Sequence, residues 1–137
     1  MNVPPPRRRK PFQFQLDLES GVPAYRQIID QVMGGLASGA LAGGEQLPTV
    51  RQVAVELSIN PNTVMRAYRE LELGGLIETH QGTGTFIAQK KVERPSAERE
   101  RQLVQMAREV AARVGAAGFS LEELIEHLRE MNPAPRR

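Results

Sequence analysis

Two neighbouring stretches near the middle of the chain repeat apolar residues at helical spacing. Residues 50–57 carry apolar side chains at positions i, i+3, i+4 and i+7, the stripe of a helix with one buried face. Residues 61–73 repeat this spacing. Their apolar positions are Val64, Ala67, Tyr68 and Leu71. The pattern predicts two short amphipathic helices that pack their apolar faces into one core.

Each of these two helices has its own start signal. Thr49 and Gln52 have the spacing of a capping box, in which each side chain bonds the other residue's backbone N–H. Asn60 is a favourable N-cap, and Pro61 suits the first helical position because its missing N–H would have no helical partner there. The interruption before Asn60 therefore predicts a tight turn between two separate helices.

Further elements are predicted on both sides of this pair. Residues 12–18 alternate with a period of two, which is typical of a short strand or an extended segment laid on the core. A helix is predicted from Pro23 to about residue 38, and strands over 76–79 and 85–88 enclose a turn. Three helices followed by a small β-hairpin is the order of elements in a winged helix.

The last third of the chain predicts a pair of charged amphipathic helices. Ser96 is a plausible N-cap for the first, and Ser120 with Glu123 forms a capping box for the second. A hairpin of this size cannot bury both apolar stripes, so we expect a partner, either a second copy or the N-terminal domain. The predicted dimerisation residues are Leu103, Ala107, Val110, Val114, Leu121, Leu124, Ile125 and Leu128.

The chain thus divides into three predicted parts. Residues 1–11 are basic and proline-rich with little to bury, and predict a disordered arm that is either solvated or laid on phosphates. Residues 12–91 form the winged helix-turn-helix domain, and residues 92–137 form a helical dimerisation module. The predicted fold class is mainly α with a small β-hairpin wing.

Composition narrows the possible chemistry. The 137 residues include no Cys, which excludes disulfides, thiol nucleophiles and Cys-ligated zinc. His80 and His127 have no metal-ligand spacing, and the Gly82–Gly84 segment lacks the third Gly or the Lys of phosphate-binding loops. No apolar run approaches the roughly 20 residues that span a bilayer. We therefore expect a cytoplasmic protein that is not an enzyme and has no metal, cofactor or membrane partner.

Net charge alone does not predict a nucleic-acid partner. The formal charge of the whole chain is +2, yet residues 12–89 contain four basic and eight acidic residues, a net charge of −4. The placement of the bases is more informative, because Arg66 and Arg69 lie on the polar side of the second helix with Asn62 and Thr63. Such side chains bond base edges and phosphates. The alternative is an ordinary helical hairpin with a solvated polar face.

Several linked motifs resemble one family. The runs PAYRQI, GEQLPTVRQVAVEL, NPNTVMRAYRELE, GGLIE and QGTGTFI, over residues 22–88, resemble the DNA-binding domain of GntR-type bacterial transcription regulators. The NPNTV run and the short C-terminal part resemble the YtrA-like branch. This resemblance implies a homodimer that binds double-stranded DNA, more specifically a repressor of a nearby operon, often one that encodes a transporter.

The resemblance also implies roles for individual residues. Arg51 matches an arginine that contacts DNA in the family, and Thr49 replaces the usual serine beside it. Many members carry Arg where this chain has Asn62 or Met65, so base preference is not transferred. Pattern and resemblance together predict a set of DNA-binding residues on the two helices and the wing tip: Thr49, Arg51, Asn60, Asn62, Thr63, Arg66, Arg69, Gln81, Gly82 and Thr83.

Two further questions remain open at the level of sequence. The C-terminal part is too short for the large effector domains of other branches, so whether a small-molecule effector exists is undecided. The rival function is a winged helix that serves as a protein-interaction or assembly module, which would suit the acidic average charge. Salt dependence of binding to duplex DNA separates the two, because phosphate contacts give a steep slope.

Overall fold

The computed structural model describes residues 11–89 and 96–131 and contains two compact units, Met1–Gln89 and Lys90–Arg137. The elements of the first unit are α1 (Ala24–Ser38), β1 (Gln46–Leu47), α2 (Val50–Leu57), α3 (Pro61–Leu73), β2 (Ile77–His80) and β3 (Gly84–Ile87). Those of the second are α4 (Ala97–Ala116) and α5 (Leu121–Met131). The predicted basic arm, apart from Pro11, lies outside the described residues.

The apolar stripes of α1, α2 and α3 meet in one core. Helix α3 packs against both α1 and α2, and it also contacts β2. The largest fully buried side chains are Ile28, Ile29, Val32, Val53, Val64, Leu71 and Ile77. They come from all three helices and the hairpin, so the helical spacing seen in the sequence is confirmed. The predicted fold class, mainly helical with a winged helix and a C-terminal helical pair, is also confirmed.

A three-stranded antiparallel sheet in the order β1-β3-β2 completes the first unit. The hairpin register pairs Ile77 with Ile87, and β1 pairs Leu47 with Thr85. Both hairpin strands lie within one residue of the predicted bounds. Strand β1 was not predicted, because two residues are too few to show a period and Pro48 follows at once.

The segment before α1 is extended but is not assigned as a strand. Phe14 is buried and Leu16 is half-buried, as the alternation predicts, whereas Leu18 is 90% exposed. The prediction for Leu18 was wrong because a turn begins there, closed by the N–H of Ser20, which donates to the carbonyl oxygen of Asp17.

Two glutamine side chains of α1 hold this extended segment. The amide group of Gln31 bonds both backbone groups of Gln15, with its oxygen 2.9 Å from the Gln15 nitrogen and its nitrogen 2.6 Å from the Gln15 oxygen. Gln27 bonds the backbone of Asp17 in the same way, with both distances 2.9 Å. The side-chain amides thus satisfy backbone groups that a neighbouring strand would otherwise satisfy.

The second unit consists of α4 and α5, each with the predicted cap. The Ser96 hydroxyl accepts a hydrogen bond from the Arg99 N–H at 3.1 Å. At α5 the capping box is complete, since the Ser120 N–H donates to the Glu123 carboxylate and the Glu123 N–H donates to the Ser120 hydroxyl. Neither helix has a buried residue. Within the described parts of the chain, no helix is long and apolar enough to cross a membrane.

Candidate nucleic-acid interface

Local hydrogen bonds fix where α2 and α3 begin. The Thr49 hydroxyl accepts from the Gln52 N–H at 3.1 Å, and the Gln52 side chain accepts from the Thr49 N–H at 2.8 Å, which completes the predicted capping box. The Asn60 side chain accepts from the Asn62 N–H at 2.8 Å, and Pro61 occupies the first helical position. Between the helices, Ser58 adopts a left-handed conformation with φ 55°. The sequence therefore predicted this turn correctly.

As helix caps, the Thr49 and Asn60 side chains act only as hydrogen-bond acceptors, and their donor groups are not used. A hydroxyl that accepts one bond still has its own hydrogen to donate, and an amide whose oxygen is occupied still has its NH₂ group. Both side chains are exposed. Each residue can therefore cap its helix and donate to an outside acceptor at the same time.

Tyr68 ties α3 to the segment that leads into α2. Its hydroxyl donates to the Pro48 carbonyl oxygen at 2.6 Å. Burial of the ring raises the pKa of Tyr68 above its ordinary value, so the hydroxyl stays protonated and remains a donor. The sequence predicted that Tyr68 is buried but gave no sign of this bond, because its acceptor is a backbone group 20 residues away.

Asn62, Arg66 and Arg69 share the face of α3 opposite its buried stripe. Residues of an α-helix follow one another at about 100°, so these three side chains lie within roughly 60° of one another. All three are exposed, and Thr63 lies half-buried on the flank. The helix thus presents one amide and two guanidinium groups together, a set that bonds base edges and phosphates.

The arginines differ in how they are held. The Arg66 guanidinium carbon lies 3.7 Å from the centre of the Tyr25 ring of α1, and its Nε lies 3.8 Å from a Glu70 carboxylate oxygen. Arg66, one of the predicted DNA-binding residues, therefore also takes part in contacts within the protein. The side chains of Arg51 and Arg69 are exposed and have no ion pair or hydrogen bond to other described residues.

The wing tip is the turn between β2 and β3. Gln81, Gly82 and Thr83 are all exposed, and Gly82 has φ 80°, a conformation that favours glycine. The tip is held from β1, since the Gln46 side chain donates to the Thr83 carbonyl oxygen at 3.2 Å. Gln46 was not among the predicted site residues, because its role depends on β1, which has no sequence signal. His80 lies at the base of the tip against the Phe86 ring.

Together the core, the exposed face of α3 and the wing define a winged helix-turn-helix protein of the kind that binds nucleic acid. No group of acidic, His or Cys residues in the described part of the chain could hold a metal ion. The class follows from the fold and from the polar side chains that α3 presents.

Comparison with known proteins identifies the family. The profile described as "Bacterial regulatory proteins, gntR family" matches residues 24–87. The HTH-type transcriptional repressor YtrA of Bacillus subtilis is 35% identical over 119 residues, which cover 87% of this chain and 92% of that repressor. The chain belongs to the GntR family of DNA-binding transcriptional regulators and is YtrA-like, as its motifs predicted.

Solved structures agree with this assignment along most of the chain. A transcriptional antiterminator from Listeria monocytogenes EGD-e matches with a TM-score of 0.62 and 30% identity, covering 88% of this chain and 90% of its own. YtrA from Sulfolobus acidocaldarius, a GntR-family transcription factor, matches with a TM-score of 0.52 and 31% identity, covering 85% and 94%. These similar proteins are regulators and not enzymes, consistent with the expectation from the sequence.

Proposed function

We propose that this protein is a transcriptional repressor that binds a palindromic operator as a homodimer. The observation that carries the proposal is the exposed face of α3, where Asn62, Arg66 and Arg69 project together from the helix that enters the major groove in helix-turn-helix proteins. The repressor named YtrA, similar along nearly its whole length, supports repression. An adjacent transporter operon is the proposed target.

The homodimer is proposed from the apolar stripes of α4 and α5. Val114 and Leu124 are half-buried, while Leu103, Val110, Leu121, Ile125 and Leu128 are between 42% and 51% exposed in the single chain. Such a large set of half-exposed apolar side chains on one helical pair marks an association surface. A second copy would bury these stripes against its own and give a self-complementary interface.

Operator geometry follows from two-fold symmetry. One recognition helix reads only a few base pairs, which is too little information to select one site in a genome. A dimer reads an inverted repeat, and two helices that enter the major groove on one side of the duplex lie about 10 bp apart, or a multiple of that. The wing tips, Gln81 to Thr83, would contact the flanking backbone or minor groove.

The test is footprinting on the DNA upstream of the protein's own coding region. We expect protection of an imperfect palindrome, and we expect most of the affinity to be lost when five base pairs are inserted between the half-sites. Insertion of ten base pairs is the matched control, because it restores the relative rotation of the two halves.

Two outcomes would contradict the proposal. Unchanged affinity after the five-base-pair insertion would mean that each domain reads its site alone. Absence of any salt-dependent binding to duplex DNA would favour the alternative function, a protein-interaction module. The net charge of −4 over residues 12–89 is the observation that favours this alternative.

A further inference from the structure

The Arg66 side chain is restrained by contacts on two sides. The Tyr25 ring covers one face of its planar guanidinium at 3.7 Å, and the Glu70 carboxylate lies 3.8 Å from Nε, along one edge. Tyr25 comes from α1, whereas Glu70 is one turn further along α3. Two different helices therefore determine the direction in which Arg66 points.

These contacts leave the far edge of the guanidinium unoccupied. The two Nη groups of Arg66 have no hydrogen-bond partner among residues 11–89 and 96–131, and 60% of the side chain is exposed. The Nη pair is the part of arginine that bonds a guanine edge or a phosphate with two parallel hydrogen bonds. The restraints thus hold the group without using the donors needed for DNA.

We propose that Tyr25 is a positioning residue for DNA binding, and that its ring holds the Arg66 guanidinium ready to bond the operator. This inference rests on the proposed function, since it requires that Arg66 contacts DNA. Tyr25 itself need not touch the DNA. It acts by narrowing the conformations of a long side chain before the complex forms.

The Tyr25 ring would preorganise the Arg66 side chain for binding. A free arginine side chain samples many rotamers and loses that freedom on binding, which weakens affinity. Stacking on an aromatic face removes part of this freedom in the unbound protein, and the weakly hydrated, planar guanidinium suits such stacking. Stacking requires the Tyr25 ring but not its hydroxyl, whereas a direct contact from Tyr25 to a phosphate would require the hydroxyl.

The experiment compares Tyr25→Leu with Tyr25→Phe in the full chain, each alone and combined with Arg66→Ala. Leucine keeps an apolar side chain against the core that Tyr25 partly covers, but it offers no ring face. We expect Tyr25→Leu to weaken operator binding by about two- to fivefold, the size of an exposed cation–π contact. Tyr25→Phe should bind as the parent does.

The decisive readout is the coupling between the two positions. If Tyr25 acts through Arg66, then Tyr25→Leu should have no further effect once Arg66 is alanine. A general packing role would weaken binding equally in both backgrounds and would overturn the proposal. An equal loss in Tyr25→Phe and Tyr25→Leu would also overturn it, since it would assign the effect to the hydroxyl.

Arg51→Ala separates failure of this inference from failure of the proposed function. Arg51 lies on α2 and Tyr25 on α1. Loss of the Arg51 side chain should weaken operator binding by about 5- to 150-fold. If Arg51→Ala weakens operator binding while Arg66→Ala and Tyr25→Leu do not, the proposed role of Tyr25 and Arg66 is refuted, but the proposed repressor function is not. If the parent protein itself binds no operator, the proposed function fails.

Discussion

Gly34 and Gly35 are adjacent residues of α1 with opposite surroundings. A Cβ atom on Gly35 would lie 3.0 Å from Leu41 Cδ1 and 3.2 Å from Phe12 Cε2, whereas a Cβ on Gly34 would meet nothing within 4 Å. Leu41 is buried, so it has little room to move away. Gly35 is thus required by close packing and Gly34 is not.

We therefore predict opposite effects of alanine at these two positions. Gly34→Ala should stabilise the protein by about 0.5–1 kcal/mol through helix propensity. Gly35→Ala should lose this gain and destabilise the protein by about 1 kcal/mol or more, because Leu41 and Phe12 must be displaced. Urea denaturation of both variants is the measurement, and equal stability of the two would contradict the packing argument.

His127 carries the second prediction at the residue scale. Its pKa is raised above the ordinary 6.5, chiefly because Nδ1 bonds the Glu123 carbonyl oxygen and also because the Glu130 carboxylate favours the charged ring. A raised pKa means that the charged ring stabilises α5 below pH 6.5 and that this stabilisation is lost as the pH rises through the folded-state pKa.

NMR titration of the His127 ring in the full chain is the measurement for this prediction. The midpoint should lie above 6.5, and Glu130→Gln should lower it by removing one favourable charge. A midpoint at or below 6.5 would show that the bond to Glu123 does not form in solution.

At the residue scale, the sequence predicted which side chains are buried better than it predicted their bonds. Helical spacing identified Val64, Ala67 and Leu71 as core residues, because burial depends on a local repeat. The stacking of Arg66 on Tyr25 and the bond from Tyr68 to Pro48 were not predicted. Both join residues that are distant in the chain, and no local pattern encodes them.

Among the secondary structure elements, the extended segment before α1 gives a direct test of side-chain pairing. Gln31→Ala removes the two bonds to the Gln15 backbone, and we expect a loss of about 0.5–1.5 kcal/mol in stability and faster hydrogen exchange of the Gln15 amide. Gln13→Ala is the control, since Gln13 is exposed and makes no hydrogen bond within the described residues. Similar effects in both variants would argue against the pairing.

Element boundaries were predictable wherever a cap or a turn residue is local. The starts of α2, α3, α4 and α5 all follow Thr, Asn or Ser caps that the sequence displays. Strand β1 and the anchoring of the wing tip by Gln46 were not predictable. They depend on pairing between residues about 40 positions apart, and no local sequence pattern shows that these residues meet.

For the molecule as a whole, the prediction concerns association through the second unit. Leu128 is 50% exposed on the apolar stripe of α5, so Leu128→Glu should place a charge in the proposed interface and give a monomer by light scattering. Arg129→Gln is the control. It changes the net charge by the same amount, but Arg129 lies beside the apolar stripe and not within it. A Leu128→Glu protein that remains dimeric would locate the interface elsewhere.

Loss of the dimer should also weaken binding to a palindromic operator. A monomer binds only one half-site. In a dimer, binding of the first DNA-binding domain holds the second close to its own half-site at a high effective concentration, and a monomer lacks this gain in affinity. Electrophoretic mobility shifts with whole and half operators measure this directly. If Leu128→Glu and the parent bind the whole operator equally well, association is irrelevant to recognition.

The spacing of Gln27 and Gln31 along α1 fixes the register of the extended segment that lies beside this helix. Gln27 and Gln31 are four residues apart, about 6 Å along a helix, and the residues they hold, Asp17 and Gln15, are two apart, about 6.6 Å along an extended chain. These two distances nearly match. Both pairs of hydrogen bonds can therefore form only if the register of the segment changes by two residues at a time. A slip of one residue would place both amides opposite residues whose backbone N–H and C=O groups point to the other edge of the segment, and it would turn Phe14 out of the core. Insertions made upstream of Phe12 should therefore leave the winged helix undisturbed, while a single residue added between Phe14 and Asp17 should not.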